Sequence, residues 1–505
     1  LSLDAALGVA GGGLAVISQG FSVISQNVAN ANTIGYATEQ TTQSDLDAGG
    51  QGIGVLSGPT QLVQDAALQA QLDGQTATAS GAAVTDQALG VLQSALGTVG
   101  AGNDLGSLLG NVQTSFSALL NDPGNQSQQG AVVRAAEQLT SQINALAGAY
   151  GQARQTAQDA LVTDVGTLNT TLAKVGALSD QIIALQAEGQ STADLQNQRN
   201  AATTALSGLV AARFVTLANG DMQIFTDGGA QLPTRGAPAV AIASSQVSPT
   251  VYYPAGGLPG ITIDGADSTS AFGGGAIGAQ LTLRDATLPA YTGELDEFSQ
   301  NLASRFSAQG LNLFTDAQGN VPAAGGVPPQ ANYLGFSSSI TVNPAVLTAP
   351  TLVRDGTQAV VGSATGASPF TPNPDDEAGF STMIERVLDY ALGPEVQDGV
   401  AQTPGLTVGL GAAGTLNAGF GAATSLGDYA TALSASQAAD SAAATSAASD
   451  AKNTQAALSS TLQSETGVDM DSQLSLMIAL QNAYGANARI ISTIQSMFTS
   501  LLQAV

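Results

Sequence analysis

The chain has 505 residues and a net charge of −26, with only 10 % charged residues, 60 glycines and no cysteine, histidine or tryptophan. Lys174 and Lys452 are the only lysines among 12 basic residues, so no cation cluster exists for nucleic acid or an anionic membrane surface. Without Cys there are no disulfides or thiolate metal sites, and without His the commonest transition-metal ligand and the usual neutral-pH general base are missing.

The length allows several domains. At the amino end Leu7, Leu14, Phe21 and Val28 repeat at seven, and Leu3, Ala10, Ile17, Ile24 and Ala31 repeat beside them, which predicts a heptad helix. It stops at Ala29-Asn30-Ala31-Asn32-Thr33-Ile34-Gly35-Tyr36, where Asn and Gly suit turns. Gly11, Gly12 and Gly13 each cost about 1 kcal/mol of helix propensity against Ala, so this helix is expected to be weak alone. Ser18, Gln19, Ser22, Ser25 and Gln26 interrupt the apolar run and no Lys or Arg opens it, so neither a membrane span nor a signal peptide is expected.

Residues 37–60 read as a polar, Gly-rich connector, with one strand at Ile53 and Val55. Helical spacing returns from Leu62 to Ala95, then in Leu105–Leu120, stopped by Asn121-Asp122-Pro123-Gly124. A long helical hairpin is expected next, with 131–157 as one arm or as the front of a longer one, and a rod from Leu161 to Leu185. A further helix covers about 192–212. At Arg213 the period drops to two, and Asn219-Gly220 between apolar alternations predicts a hairpin with a type I′ turn.

Strand-like pieces follow at 238–243, 248–253 and 260–263, and helix returns over 276–310. Eight of the 18 prolines lie between Pro322 and Pro374, so 311–410 reads as a β-rich or irregular outer domain, with strands at 339–343 and 358–360. Asp375-Asp376-Glu377 are consecutive rather than spaced as in a Ca²⁺ loop, which favours a solvated turn. A helix at 380–392 ends at Gly393-Pro394. The Ala/Ser tract 425–462 is expected to be a helix close against the 160–187 rod, since no Gly or Pro occurs in 428–466.

After Gly467 comes the last helix. Met477, Tyr484, Ile491, Phe498 and Val505 form one seven-residue row, and Leu480, Asn487, Ile494 and Leu501 form another. Leu476, Ala483, Ile490 and Met497 lie beside this seam. Asn487 is at a core position, where an amide fixes register at a cost in stability. Two heptad ends predict pairing with each other and then with other copies, with both ends disordered in the monomer and folding on assembly. Among the residues there is no Gly-rich phosphate loop after a strand and no nucleophile–base pair through His, so the chain reads as a structural protein with no cofactor, metal or catalytic residue rather than an enzyme.

The two ends carry a resemblance. Ser25-Gln26-Asn27-Val28-Ala29-Asn30-Ala31-Asn32-Thr33-Ile34-Gly35-Tyr36 is similar to the amino-terminal box of the axial flagellar proteins of bacteria, with Gln26 in place of an Asn. Gln481-Asn482-Ala483-Tyr484-Gly485-Ala486-Asn487-Ala488-Arg489-Ile490-Ile491-Ser492-Thr493 resembles their carboxy-terminal box. Two internal stretches resemble the hook-associated protein 1 family rather than the hook subunit: Leu195-Gln196-Asn197-Gln198-Arg199-Asn200, with Asn197 and Asn200 where Asp is usual, and Gly278–Asp285, which holds Arg284 and Asp285. In the same region Ser307 stands where the family has Asn, and Asp471-Ser472 where two acids are common.

The resemblance implies a multidomain, elongated α+β subunit of the hook–filament junction. Residues 1–60 and 464–505 would form a paired coiled-coil-like terminal assembly domain with its connector. The residue pattern divides the rest into a helical rod domain (61–212, 276–310 and 411–463), a β-rich domain (213–275) and a Pro/Gly-rich outer domain (311–410), the last left largely unmatched by the resemblance. The implied partners are copies of itself in a ring or helical assembly, the hook subunit, the second junction protein and an export chaperone at the C-terminal helix. The implied location is extracellular, after type III secretion without a cleaved signal. A hook or rod subunit is the alternative, and an adhesin or hydrolase carried by 311–410 is an alternative of another class. The expected seam residues are Leu7, Leu14, Phe21, Val28, Met477, Leu480, Tyr484, Asn487, Ile491, Ile494, Phe498 and Leu501. The motif residues are Asn27, Asn30, Asn32, Thr33, Gly35, Tyr36, Arg284, Asp285 and Arg489.

Overall fold

One helix of 62 residues, α4 (Gln126–Ala187), carries the body of the protein. The computed structural model describes residues 3–33, 35–48, 51–97, 100 and 102–503; Ile34 and Val505 lie outside them. In chain order, α1 (Leu3–Asn30) leads to the short pair β1 (Glu39–Gln40) and β4 (Gln61–Leu62), which flank the hairpin β2 (Gln43–Ala48)–β3 (Gln51–Ser57). The helices α2 (Ala66–Leu96), α3 (Leu105–Asn121), α4 (Gln126–Ala187) and α5 (Ala193–Leu209) follow. Their starts are chemically marked: Asp65, Asp104 and Asn125 each accept first-turn backbone N–H groups with their side chains.

At 1.5 Å per residue α4 spans about 93 Å. Its apolar residues from Val132 to Ala157 join one core with α3, while Leu161, Val165, Leu168, Leu172 and Val175 join a second with α5. The residues 131–157 are therefore the front of a longer helix. The hairpin partner is α3, which turns into α4 at Asp122-Pro123-Gly124.

Strands β5 (Ala212–Thr216), β6 (Met222–Thr226) and β7 (Gln231–Leu232) form an antiparallel sheet over the second core. Its turn differs from the expected two-residue type I′. Leu217 N bonds Asp221 O at 2.8 Å across a wider loop, and of Asn219 and Gly220 only Gly220 is left-handed (φ 89°). A second small sheet joins β8 (Val240–Ala241), β9 (Thr262–Ile263) and β10 (Ala266–Asp267). The expected strand at 248–253 is reduced to a bridge at Tyr252.

Helix α6 (Gly275–Thr282) runs into α7 (Leu288–Ala308) through a π-helical turn, Leu283–Thr287. Pro289 explains the turn: it has no N–H to give and would collide with a carbonyl one α-turn back. After α7 the chain is mostly irregular. It holds the pairs β11 (Phe314–Thr315)–β12 (Thr341–Val342), β13 (Glu395–Gln397)–β14 (Val400–Ala401) and β15 (Val408–Leu410)–β16 (Leu416–Asn417). Between them lie the short helices α8 (Pro344–Thr348), α9 (Leu352–Asp355) and α10 (Thr382–Arg386).

This segment is not a β-rich unit with its own core. Phe314, Tyr333, Phe336, Ile340, Val353, Met383 and Val387 share the first core with α3, α4 and α7. It does touch the 213–265 region, where Gly335 lies against Pro249, although the strands of that region belong to the second core. The expected strand at 358–360 is a single bridge, Val360 to Phe370. Asp375, Asp376 and Glu377 lie exposed in a turn.

Helix α11 (Leu426–Thr466) packs along α2 rather than along the distal half of α4. Gln75 Nε2 donates to Ala451 O (2.9 Å), Gln455 Nε2 to Thr76 Oγ1 (3.0 Å) and Thr445 Oγ1 to Asp86 Oδ1 (2.6 Å), so the two run antiparallel. Their small, polar surfaces interlock where longer apolar side chains would hold them apart. Helix α12 (Met470–Gln503) closes the chain and packs on α1. The whole is an elongated α+β protein with long paired helices and several small sheets of two or three strands.

Candidate assembly interface

The terminal helices are formed and paired within one chain, rather than left without a partner. Three contacts fix an antiparallel register. Gly13 faces Asn487, whose Nδ2 would lie 3.0 Å from a β-carbon on that glycine. Gly20 faces Leu480, whose Cδ1 would be 2.7 Å from one. Asn27 Nδ2 donates to Gln473 Oε1 at 3.1 Å. Each step is seven residues forward on α1 and seven back on α12, and the same spacing sets Ala6 opposite Ile494. The inner row of α1 is thus Ala6, Gly13, Gly20 and Asn27. Its small residues let the helices approach closely, which offsets part of their cost in propensity.

The predicted seam divides accordingly. Leu480 and Ile494 face α1, as do the half-buried Asn487, Met477, Ile491 and Phe498. Tyr484 and Leu501 are 52 % and 58 % exposed. On α1, Ala10, Val16, Ile17, Val23 and Ile24 are buried, whereas Leu7 and Val28 are exposed and Leu14 and Phe21 half-buried. The row Leu7-Leu14-Phe21-Val28 is therefore on the flank of the pair, not in its seam. Asn487 makes no side-chain hydrogen bond among the described residues; the amides that lock the register are Asn27 and Gln473. By length and composition α1 could cross a bilayer, with a mean hydropathy of 1.6 in its most apolar window. Here its buried face is taken by α12 and by β3.

The hairpin β2–β3 lies on a second face of α1. Gly12 faces Val55 O, Ser57 Oγ donates to Gln19 Oε1, and Gln19 Nε2 reaches Gly58 O at 3.4 Å.

The amino-terminal motif works as a joint between this pair and the body. Asn27 Oδ1 accepts Glu39 N (2.9 Å) and Tyr36 Oη–H (3.2 Å), while its Nδ2 also donates to Glu39 O (2.9 Å). Thr38 N donates to Thr466 O (2.7 Å) and Thr38 Oγ1 to Gly467 O (2.6 Å), tying the joint to the end of α11. Asn30 caps the end of α1 by donating to Gln26 O (3.0 Å) and accepting from Thr33 Oγ1 (3.3 Å); Gly35 is left-handed (φ 80°) and Asn32 is exposed.

Asn197 enters the joint from α5: its Oδ1 accepts Ala37 N at 2.9 Å and its Nδ2 donates to Ala37 O at 3.1 Å. An aspartate there could accept but not donate. Glu39 is buried in the same place with Oε1 unpartnered among the described residues; burial, then the charge of Asp194, raises its pKa.

Arg284 and Asp285 sit far from the terminal helices, where the two cores meet. Arg284 is fully buried and grips Asp285 with Nε (2.8 Å) and Nη2 (2.7 Å), while Nη1 donates to Gln158 Oε1 (2.6 Å) and Pro259 O (3.0 Å). Arg154 donates to Arg284 O (2.7 Å), Ser248 O (2.9 Å) and Val251 O (2.8 Å), and burial pushes its pKa down to about 10. These groups pin the π-turn and the 248–259 loop to α4. Arg199 plays a similar part, donating to Gly220 O at 2.7 Å. Arg489, by contrast, is exposed on α12.

Sequence reasoning missed a further cluster, Glu294, Asp296 and Glu297 on one turn of α7, all buried. Asp296 accepts Gly335 N (2.7 Å), Ser337 N (2.9 Å) and Ser337 Oγ (2.6 Å). Glu297 accepts Tyr333 Oη (2.6 Å) and Leu406 N (2.8 Å), and Glu294 accepts Gln437 Nε2 (2.9 Å) and Gly419 N (3.2 Å). Each carboxylate therefore holds donors of the irregular 311–424 segment. Burial raises Glu294 to about 7 and Asp296 to about 6. Among the described residues no group of three or more His, Cys, Asp or Glu side chains is placed to hold a metal ion.

Residues 89–321 match the family described as the helical domain of the flagellar hook-associated protein FlgK, and residues 461–504 that described as the C-terminal region of the flagellar basal body rod proteins FlgEFG. Over these two stretches the chain is similar to axial flagellar proteins of the rod, hook and hook-associated kind. The first match covers α3 to β11 with the end of α2; the second covers α12 with the end of α11. The chain is 26 % identical over 328 residues to the flagellar hook-associated protein 1 of Salmonella typhimurium and to that of Salmonella typhi. The alignments take in 61 % of this chain and 56 % of each relative, so the chain spans a little over half the length of these relatives. The solved flagellar hook junction protein FlgK of Burkholderia pseudomallei is 24 % identical, with a TM-score of 0.40 over 50 % of this chain and 46 % of that one.

Proposed function

We propose that this protein is an axial flagellar subunit, a structural part of the junction between hook and filament, exported from the cell and assembled with copies of itself. The observation that carries this reading is the match of residues 89–321 to the hook-associated helical domain. That stretch contains α4, the Arg154–Arg284 clamp and the acids of α7, the parts that make the body rigid and hold the irregular segment to it. Its work is mechanical: the terminal pair supplies apolar surface for assembly while the body projects from it. In this reading its neighbours are the hook subunit on one side and a second junction protein on the other, with an export chaperone covering α12 beforehand.

A hook or rod subunit is the second reading, favoured by the match of residues 461–504 to rod proteins. Gold-labelled antibody against the chain, applied to isolated flagella with hooks attached, separates the two. A single band of label where hook meets filament is expected. Label along the hook, or on the rod, would contradict the junction reading and support the second.

A further inference from the structure

The terminal pair has two unlike apolar flanks. Viewed from the N-terminus of α1 with α12 above it, Leu7, Leu14, Phe21 and Val28 project to the right, because they follow the inner row Ala6-Gly13-Gly20-Asn27 by one residue in a right-handed helix. Gly12 and Gln19, which face the hairpin β2–β3, point to the left. Helix α12 runs the other way, so the row Leu476, Ala483, Ile490 and Met497 also falls on the left, above the hairpin. Leu476, Ile490 and Met497 are 48 %, 48 % and 53 % exposed. The left flank is thus a corner, with an apolar helix row as one wall and a hairpin as the other. On the right flank Leu7, Leu14, Phe21 and Val28 form an apolar ridge along α1, below the row Met477-Tyr484-Ile491-Phe498 of α12.

We propose that the ridge of one copy, centred on Leu14 and Phe21, seats in the corner of the next copy, against Ile490 and Met497. The inference rests on the assembly reading above and names the contact that reading needs. Both rows repeat at seven residues, as surfaces that pack helix on helix do. Neither row contains a charged residue, so a chain with a net charge of −26 can bring them together without opposing like charges directly. A ridge fits a corner, whereas two corners brought face to face would drive their hairpins into each other. Contacts between unlike faces are head-to-tail, and repeat into rings or helical arrays instead of stopping at a dimer.

The chain has no cysteine, so single-cysteine variants report one position each. Leu14→Cys and Ile490→Cys, each in the full chain, would be mixed at concentrations where sedimentation shows association and treated with a short bismaleimide. Leu7→Cys serves as a second ridge position if Leu14→Cys is poorly folded. Cross-linked dimer is expected several-fold more strongly in the mixture than in either variant alone. Dimer as strong in one variant alone, with association intact, overturns the ridge-in-corner contact and leaves the assembly reading standing. A chain that stays monomeric at every concentration, with no dimer from any mixture, overturns both.

Discussion

Single residues set two measurable properties. Glu294 and Asp296 are raised by burial to about 7 and about 6, and Asp73 on α2 likewise to about 6. A carboxyl whose folded-state pKa is raised stabilises the fold fully below its unfolded value, about 4.3 for Glu and 3.9 for Asp, and that contribution is lost as pH rises through the folded value. Between roughly pH 4 and pH 7 these three groups should therefore lower the unfolding midpoint as pH rises. Relief of the −26 net charge acts in the same direction, so the variant Glu294→Gln isolates one group: its midpoint should vary less between pH 5 and pH 8 than that of the parent. An unchanged or steeper dependence by circular dichroism would refute the assignment.

At the joint, Asn197→Asp loses the donor to Ala37 O and places a carboxylate beside Glu39 and Asp194. A cost of about 1–3 kcal/mol is expected, the penalty of an unsatisfied buried group. It should appear as faster amide exchange at residues 36–40 with α4 unchanged. Uniform exchange across the body would contradict a local joint.

Among elements, the closest approach is between α1 and α12. Gly20→Leu would drive a side chain into Leu480, at an overpacking cost of about 1–3 kcal/mol. Protease sites in 470–500 should then be cut faster, while the α2–α11 pair stays resistant; equal resistance in the parent and the variant would show that the helices do not meet at Gly20. This row also marks how far the sequence was legible. The heptads gave both helices and their pairing, because apolar periodicity is local information. They do not separate the contact between the two helices from the faces left for other copies: large side chains dominate the pattern, while the helices meet at Ala6-Gly13-Gly20-Asn27, of which only Gly13 stands out in the sequence, and there as a cost. The Ala/Ser tract gave α11 as a helix but not its partner, because a surface of Ala and Ser suits any close neighbour. Asn219-Gly220 gave a hairpin but not its turn, whose loop is set by Arg199 gripping Gly220 O.

For the whole molecule, burial reorganises what composition suggested. Pro and Gly made 311–410 look detached, yet its aromatics complete the core around α4 and α7, and three acids of α7 hold its loops. No local pattern foretells this, since Glu294, Asp296 and Glu297 look like a solvated face until the segment covers them. Exposed apolar surface remains concentrated on the terminal pair: Leu474, Leu476, Ile478, Tyr484, Ile490 and Met497 are all at least 43 % exposed. Full burial of side chains of this kind is worth about 1.5–3 kcal/mol each, a stabilisation available only on assembly.

The central claim is that this surface serves assembly and not the fold of the single chain. The most direct measurement compares Ile490→Asp, on the exposed flank, with Ile491→Asp, half-buried towards α1, for thermal unfolding and for incorporation into flagella. Ile490→Asp should unfold like the parent and fail to incorporate, while Ile491→Asp should also loosen the α1–α12 pair with the body between residues 131 and 462 still folded. Normal incorporation of Ile490→Asp would contradict the account.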